Sequence, residues 1–375
     1  MCKVIALQLL ACFSLAGSAL AAGPIEPAQT PKPRVDVVFV LDTTGSMGGL
    51  IQGAKQKIWS IVNEIAKGRP SPEIRLGLVA YRDRGDAYVT QRTELTTDLD
   101  AVYERLTALG ADGGGDGPES VNQALWEAVH QMAWTPERSA LKVIFLVGDA
   151  PPHMDYPDDP KYPATCQEAM KKDLIIHTIQ CGGHLGTTRY WKEIATLAEG
   201  RYMAIAQSGG TLAVVTPYDG RLAELAAALD ATYVGYGSAG ERKESAKKME
   251  SARAIAAEAA PEAAASRASY KATSGSMAAK DLLADTAEGR VKLEALKPEE
   301  LPAEMQKMSP AQRKAFLEKK KAARAKVQAE IKELAKQRDA YVQEQLRVAG
   351  KSGDSFDAKV IESLRAKAGE KGIQY

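Results

Sequence analysis

The chain is expected to fold as an α/β domain: a doubly wound, mainly parallel sheet with helices on both faces, followed by an α-helical tail. Three observations predict it. Val35-Asp36-Val37-Val38-Phe39-Val40-Leu41 and Leu141-Lys142-Val143-Ile144-Phe145-Leu146-Val147 are near-continuous apolar runs that suit strands buried on both faces. Weaker strand-like runs, at 74–80, 174–179 and 201–205, alternate with helical stretches. The composition then shifts after about Gly237 toward Ala, Glu, Lys and Ser.

Taken in order, residues 1–22 read as an export signal. Lys3 is followed by a short apolar stretch, and Ala19-Leu20-Ala21 and Leu20-Ala21-Ala22 offer small-x-small cleavage sites. Residues 23–33 form a Pro-rich linker, and the domain itself is assigned to 34–235. Its helices are expected at 50–66, 118–132, 166–172, 190–198 and 220–232, and 88–95 reads as an edge strand. Residues 236–300 have few large apolar side chains and are expected to be a low-complexity linker or a solvated helix. In the remaining region, 301–375, Ser309-Pro310-Ala311-Gln312 has the chemistry of a helix start. The thin stripe of Val327, Ile331 and Leu334 suits packing on the domain or a coiled coil with a partner helix. Phe356, Val360 and Leu364 predict a short terminal amphipathic helix.

The 375 residues carry a formal net charge of +1, which gives no electrostatic reason to expect nucleic acid as a partner. No stretch after the signal is long and apolar enough to span a bilayer. Cys166 and Cys181 are the cysteines left once the signal is removed. One opens a helix and the other ends the next strand, so a disulfide between them is expected in an exported chain. Gly350-Lys351-Ser352 lacks the upstream glycine of a phosphate loop and follows a helix, so that reading fails.

Asp42 directly follows the first buried strand, and Gly148-Asp149 the second. In an open parallel sheet these ends share one edge, where ligands bind. The loop Gly113-Gly114-Gly115-Asp116-Gly117-Pro118-Glu119 adds two more carboxylates. Crowded carboxylates raise one another's pKa, and a divalent cation relieves them. Thr44 and Ser46 add hydroxyl oxygens. An all-oxygen set fits Mg²⁺, with Ca²⁺ or Mn²⁺ as alternatives, rather than zinc. The plainer roles are Asp42 as a turn residue, Ser46 as a helix cap and Asp83 as a salt-bridge partner of Arg82 or Arg84.

Asp42-x-Thr44-x-Ser46 resembles the Asp-x-Ser-x-Ser signature of von Willebrand factor A domains, with Thr in place of the first Ser. The resemblance implies a metal-ion-dependent adhesion site in which Asp149 also takes part. Asp116-Gly117-Pro118-Glu119 and Asp149-Ala150-Pro151-Pro152-His153 are similar to the integrin β-subunit variety. That likeness implies that Glu119 joins the site and that Asp116, with Asp83, serves a second cation. Gly48-Gly49 stands where that variety has an acidic pair, so the adjacent third site is expected to be missing. With the export signal, the resemblance implies a bacterial exported protein, periplasmic or secreted. The expected function is cation-dependent binding of a partner protein through an acidic side chain, without catalysis. The competing functions are a scaffold acting through the C-terminal helices and a metal-assisted hydrolase with His153 as acid or base.

Overall fold

The computed structural model describes residues 32–115, 117–210, 214–275, 277, 279–348 and 355–375. The export signal, Asp116 and the Gly350-Lys351-Ser352 stretch lie outside the described residues. The chain from Lys32 onward forms one compact unit.

The first run becomes β1 (Arg34–Asp42), and α1 (Gly48–Ala66) returns to β2 (Glu73–Tyr81). β3 (Thr90–Thr96) pairs antiparallel to β2 at the sheet edge, within the stretch expected to be an edge strand. α2 (Leu99–Ala108), for which the sequence pattern predicts no element, precedes α3 (Val121–His130) and β4 (Leu141–Gly148). Then follow α4 (Tyr162–Lys171), β5 (Ile175–Cys181), α5 (Leu185–Leu197), β6 (Tyr202–Ile205) and α6 (Asp219–Asp230). The strand order is β3-β2-β1-β4-β5-β6, with all pairs parallel except β2–β3.

The pleat of β1 sorts its side chains to two cores. Val35, Val37, Phe39 and Leu41 join α1 and α2 on one face, while Val38 and Val40 join α3, α4 and α5 on the other. Phe39 lies opposite Leu78 of β2 and Phe145 of β4, so the centre of the sheet is apolar on both sides.

Beyond residue 235 the structure corrects the expected linker. Residues 236–300 contain α7 (Ala239–Glu258), α8 (Pro261–Ser274) and α9 (Leu282–Ala287). α8 packs on α1 and α6 through Ala263, Ala265, Ala268 and Ala272. Alanine removes bulk, so the helix axes approach closely without large apolar side chains. Polar partners do the rest. Arg267 donates two hydrogen bonds to Asp100 of α2, at 2.6 and 2.9 Å, and Lys271 lies 2.9 Å from Asp100 and 3.4 Å from Asp230 of α6. Burial alone would raise the Asp100 pKa, but the Arg267 hydrogen bonds and the neighbouring positive charges hold it below the ordinary value.

After α10 (Ala303–Gln306), α11 (Pro310–Val348) opens on the predicted reciprocal cap. Ser309 N–H donates to Gln312, and Gln312 N–H donates to the Ser309 hydroxyl. Of the two roles expected for its stripe, packing on the domain is the one found. Ile331 is fully buried against α6 and α8, with Val327 and Leu334 beside it, so the stripe is consumed within the chain. α12 (Phe356–Ala368) returns to the sheet, where Phe356 packs on Phe39 with ring centroids 5.9 Å apart. Among the described residues, no helix is long and apolar enough to cross a membrane.

The expected disulfide does not form: Cys166 and Cys181 are buried free thiols. Cys166 on α4 packs in the core with Val38 and Val40, while Cys181 at the end of β5 packs in the core with Phe39. The thickness of the sheet separates them. Sharing an edge in a β–α–β unit did not mean sharing a face.

Candidate metal centre

β1 and β4 are neighbours running parallel, so their C-terminal ends deliver Asp42 and Asp149 to one edge. Asp42 is fully buried. Its Oδ1 accepts the Thr44 N–H at 2.9 Å and the Thr44 hydroxyl at 2.6 Å, while its Oδ2 has no hydrogen-bond partner. No side chain caps α1, so the Ser46 hydroxyl is not spent on that task.

Glu119 is brought in by backbone pairing. Its N–H donates to Pro151 O at 2.9 Å, and the His153 N–H donates to Glu119 O at 3.1 Å. The loop after α2 thereby zips onto the loop after β4. Gly114 has φ +81°, and a Cβ there would lie 3.1 Å from Glu119 Oε1 and 3.2 Å from Thr44 Cβ. Glu119 and Thr44 thus flank the same bare backbone position. Glu119 Oε2 is buried without a partner.

The electrostatics follow from this crowding. Burial, reinforced by the Asp149 charge and opposed by the Thr44 hydrogen bonds, pushes the Asp42 pKa up to about 7. Burial, followed by the charges of Asp42, Asp83, Asp86 and Asp149, pushes Glu119 up to about 9. Two acids held this way resist ionising unless a positive charge joins them. Among the described residues, no three carboxylate, imidazole or thiolate side chains form a ready-made cage. The donor set is mixed: the buried oxygens of Asp42 and Glu119, the hydroxyls of Thr44 and Ser46, and Asp149 at the rim. Two buried carboxylate oxygens without partners, beside neutral hydroxyls, fit a hard divalent cation.

Asp83 is placed differently from expectation. Its Oδ1 accepts the Ser120 hydroxyl at 2.8 Å and its Oδ2 the Tyr156 hydroxyl at 2.9 Å, with His153 Nε2 3.2 Å away. Both oxygens are engaged by protein groups, so Asp83 braces the loops, and Asp116, its expected companion at a second cation, lies outside the described residues. His153 stacks on Tyr156 at 3.9 Å and its Nδ1 lies 2.8 Å from Asp155, which makes it a loop-packing residue. Its ring nitrogens both face carboxylates, which leaves it poorly placed as an acid or base on a substrate.

Two residues at this edge escaped the sequence reading. Gln207, after β6, donates its Nε2–H to Asp149 Oδ2 at 2.6 Å and reaches Ser46 O at 3.3 Å. It stands 58 positions from Asp149 and carries no motif. Tyr81 ends β2 opposite Asp42 in register, and its hydroxyl is buried without a partner. An aromatic residue at a strand end reads only as core.

Residues 36–217 match the family model of the von Willebrand factor A domain. This segment, just under half of the chain, is similar to that domain and is named the A domain for the likeness. The A domain is similar to the von Willebrand factor A domain-containing protein 7 of Rattus norvegicus, 38% identical over 120 residues, covering 32% of this chain and 12% of that protein. Its Homo sapiens counterpart is 34% identical over 150 residues, covering 40% and 16%. The alpha-protein kinase vwkA of Dictyostelium discoideum is 28% identical over 120 residues, covering 32% and 19%. The matches therefore span less than a fifth of the length of these eukaryotic relatives. Among solved structures, proximal thread matrix protein 1 from the mussel byssus, with a zinc occupied MIDAS motif, overlaps with a TM-score of 0.36 at 17% identity. It covers 47% of this chain and 42% of that one. The family match ends at 217, whereas the compact unit includes the described residues beyond it, through α12.

Proposed function

We propose that the A domain is a divalent-cation-dependent protein-binding module that holds an Asp or Glu side chain of a partner protein. Asp42, Thr44, Ser46, Glu119 and Asp149 would hold the cation, with Mg²⁺ as the first choice. The observation that carries this is the pair of buried carboxylate oxygens, Asp42 Oδ2 and Glu119 Oε2, left without hydrogen-bond partners at the ligand edge of the sheet. When bound, the cation supplies positive charge and an open position for an outside oxygen. Thr44 fixes the Asp42 carboxylate, Gln207 fixes that of Asp149, and the Glu119–His153 backbone pairing fixes the loop between them. The engagement of His153 by Asp155 and Tyr156 supports binding rather than hydrolysis.

Calorimetric titration with Mg²⁺ and Mn²⁺ tests the site, and pull-down from the exported fraction with Mg²⁺ against EDTA tests the partner. Asp42→Ala is expected to lose cation binding and partner capture together. Partner capture that survives both EDTA and Asp42→Ala would sink the proposal.

A further inference from the structure

The Tyr81 hydroxyl stands out from the other tyrosines described. The hydroxyl of Tyr156 donates to Asp83 at 2.9 Å, that of Tyr202 to Gln180 at 2.9 Å, and that of Tyr236 to Asp285 at 2.6 Å. Tyr81 is fully buried, yet its Oη has no partner. A buried phenol left so is less stable than one whose hydroxyl is satisfied. Its ring packs in the core with Val38 and Val40, which accounts for an aromatic residue but not for the oxygen.

The surroundings of that oxygen are specific. Tyr81 pairs across the sheet with Asp42, and Gly148 is the last residue of β4, just before Asp149. A Cβ on Gly148 would lie 2.5 Å from Tyr81 Oη and 3.0 Å from Asp42 Oδ2. Two oxygens without partners therefore border the same space, and glycine at 148 keeps that space open. One is a carboxylate oxygen, an acceptor. The other is a phenol, which donates to whatever oxygen comes between them.

We infer that Tyr81 is a positioning residue of the cation site, donating its hydroxyl hydrogen to a water that the cation carries beside Asp42. The inference rests on the cation-binding reading above. Hard cations such as Mg²⁺ keep several waters when bound by few carboxylates, and a fixed donor on one of them orients the shell. Tyr81 is not itself a ligand; it acts through the water. Gly148 serves the same purpose by being absent from the space.

Tyr81→Phe removes one atom and keeps the ring, so it tests the oxygen alone. The readouts are Mn²⁺ affinity by calorimetry, water-proton relaxation of bound Mn²⁺, and the melting temperature of the chelated protein. Tyr81→Phe should bind Mn²⁺ about tenfold more weakly, in the range typical of lost outer-shell partners. Its relaxation enhancement should change, and the chelated protein should melt no lower than wild type. A packing role would leave affinity and relaxation untouched. Gly148→Ala should weaken Mn²⁺ binding as well, by filling the space. Wild-type affinity and relaxation in Tyr81→Phe would overturn the inference while leaving the site intact. Absence of Mn²⁺ binding by the wild-type protein would instead overturn the cation-binding reading itself.

Discussion

Replacing Arg267 with methionine asks whether the segment after the A domain is part of the fold. Arg267 and Asp230 each have side chains only 2% exposed, Lys271 5% and Asp100 16%. The four charges cancel. Arg267 makes two hydrogen bonds to Asp100 and lies 3.6 Å from Asp230. Without it, two carboxylates share Lys271 and a net negative charge remains in a site closed by Ala-rich helices. Breaking a buried pair from one side costs about 3–5 kcal/mol, because the remaining charge is left uncompensated. Methionine keeps much of the volume, so little of that loss is cavity. Urea denaturation of wild type, Arg267→Met, Asp100→Asn and the double variant gives the coupling directly. The double variant should recover part of the loss. Stability of Arg267→Met within about 0.5 kcal/mol of wild type would mean a solvated segment, as surface substitutions behave, and would refute the docking of α8.

Other outcomes follow from the same structure. Phe356→Ala empties a site on Phe39 and should cost about 3–5 kcal/mol by urea denaturation, although it lies far beyond the family match. His177 is buried in β5, accepts the Arg201 N–H at 2.9 Å and has its pKa pushed down to about 4, first by burial and then by the Arg201 charge. The unfolded chain binds this proton at about pH 6.5 and the folded one only near 4, so stability is full above 6.5 and is lost as pH falls toward 4. The loss reaches at most about 3 kcal/mol, and His177→Gln should remove that part of the acid sensitivity in a pH series of denaturation curves. Cys166 and Cys181 should resist a thiol reagent in the folded protein and both react after unfolding without reductant; a non-reducing peptide map with a 166–181 bridge would contradict their placement.

Much of the fold is legible in the residues. The buried runs at 35–41 and 141–147 announce central parallel strands because only strands covered on both faces read as continuous apolar stretches. Their last residues then put Asp42 and Asp149 at one edge by topology alone. Glu119 reaches the same edge although the preceding strand, β3, runs antiparallel, because α2 carries the chain back before the glycine-rich loop.

Other features arise only when distant residues meet. Alanine-rich segments signal poor burial when counted one residue at a time, yet α8 docks because small side chains and ion pairs substitute for large apolar ones. Whether Cys166 and Cys181 share a face depends on where α4 lies, and the sheet between them decided it. Asp83 has the residue type and position of a ligand, but Ser120 and Tyr156 reached its oxygens first. Local pattern determined the strands and the acids at their ends. Tertiary contact decided which polar atoms were satisfied by the protein and which, at Asp42, Glu119 and Tyr81, were left for something else to fill.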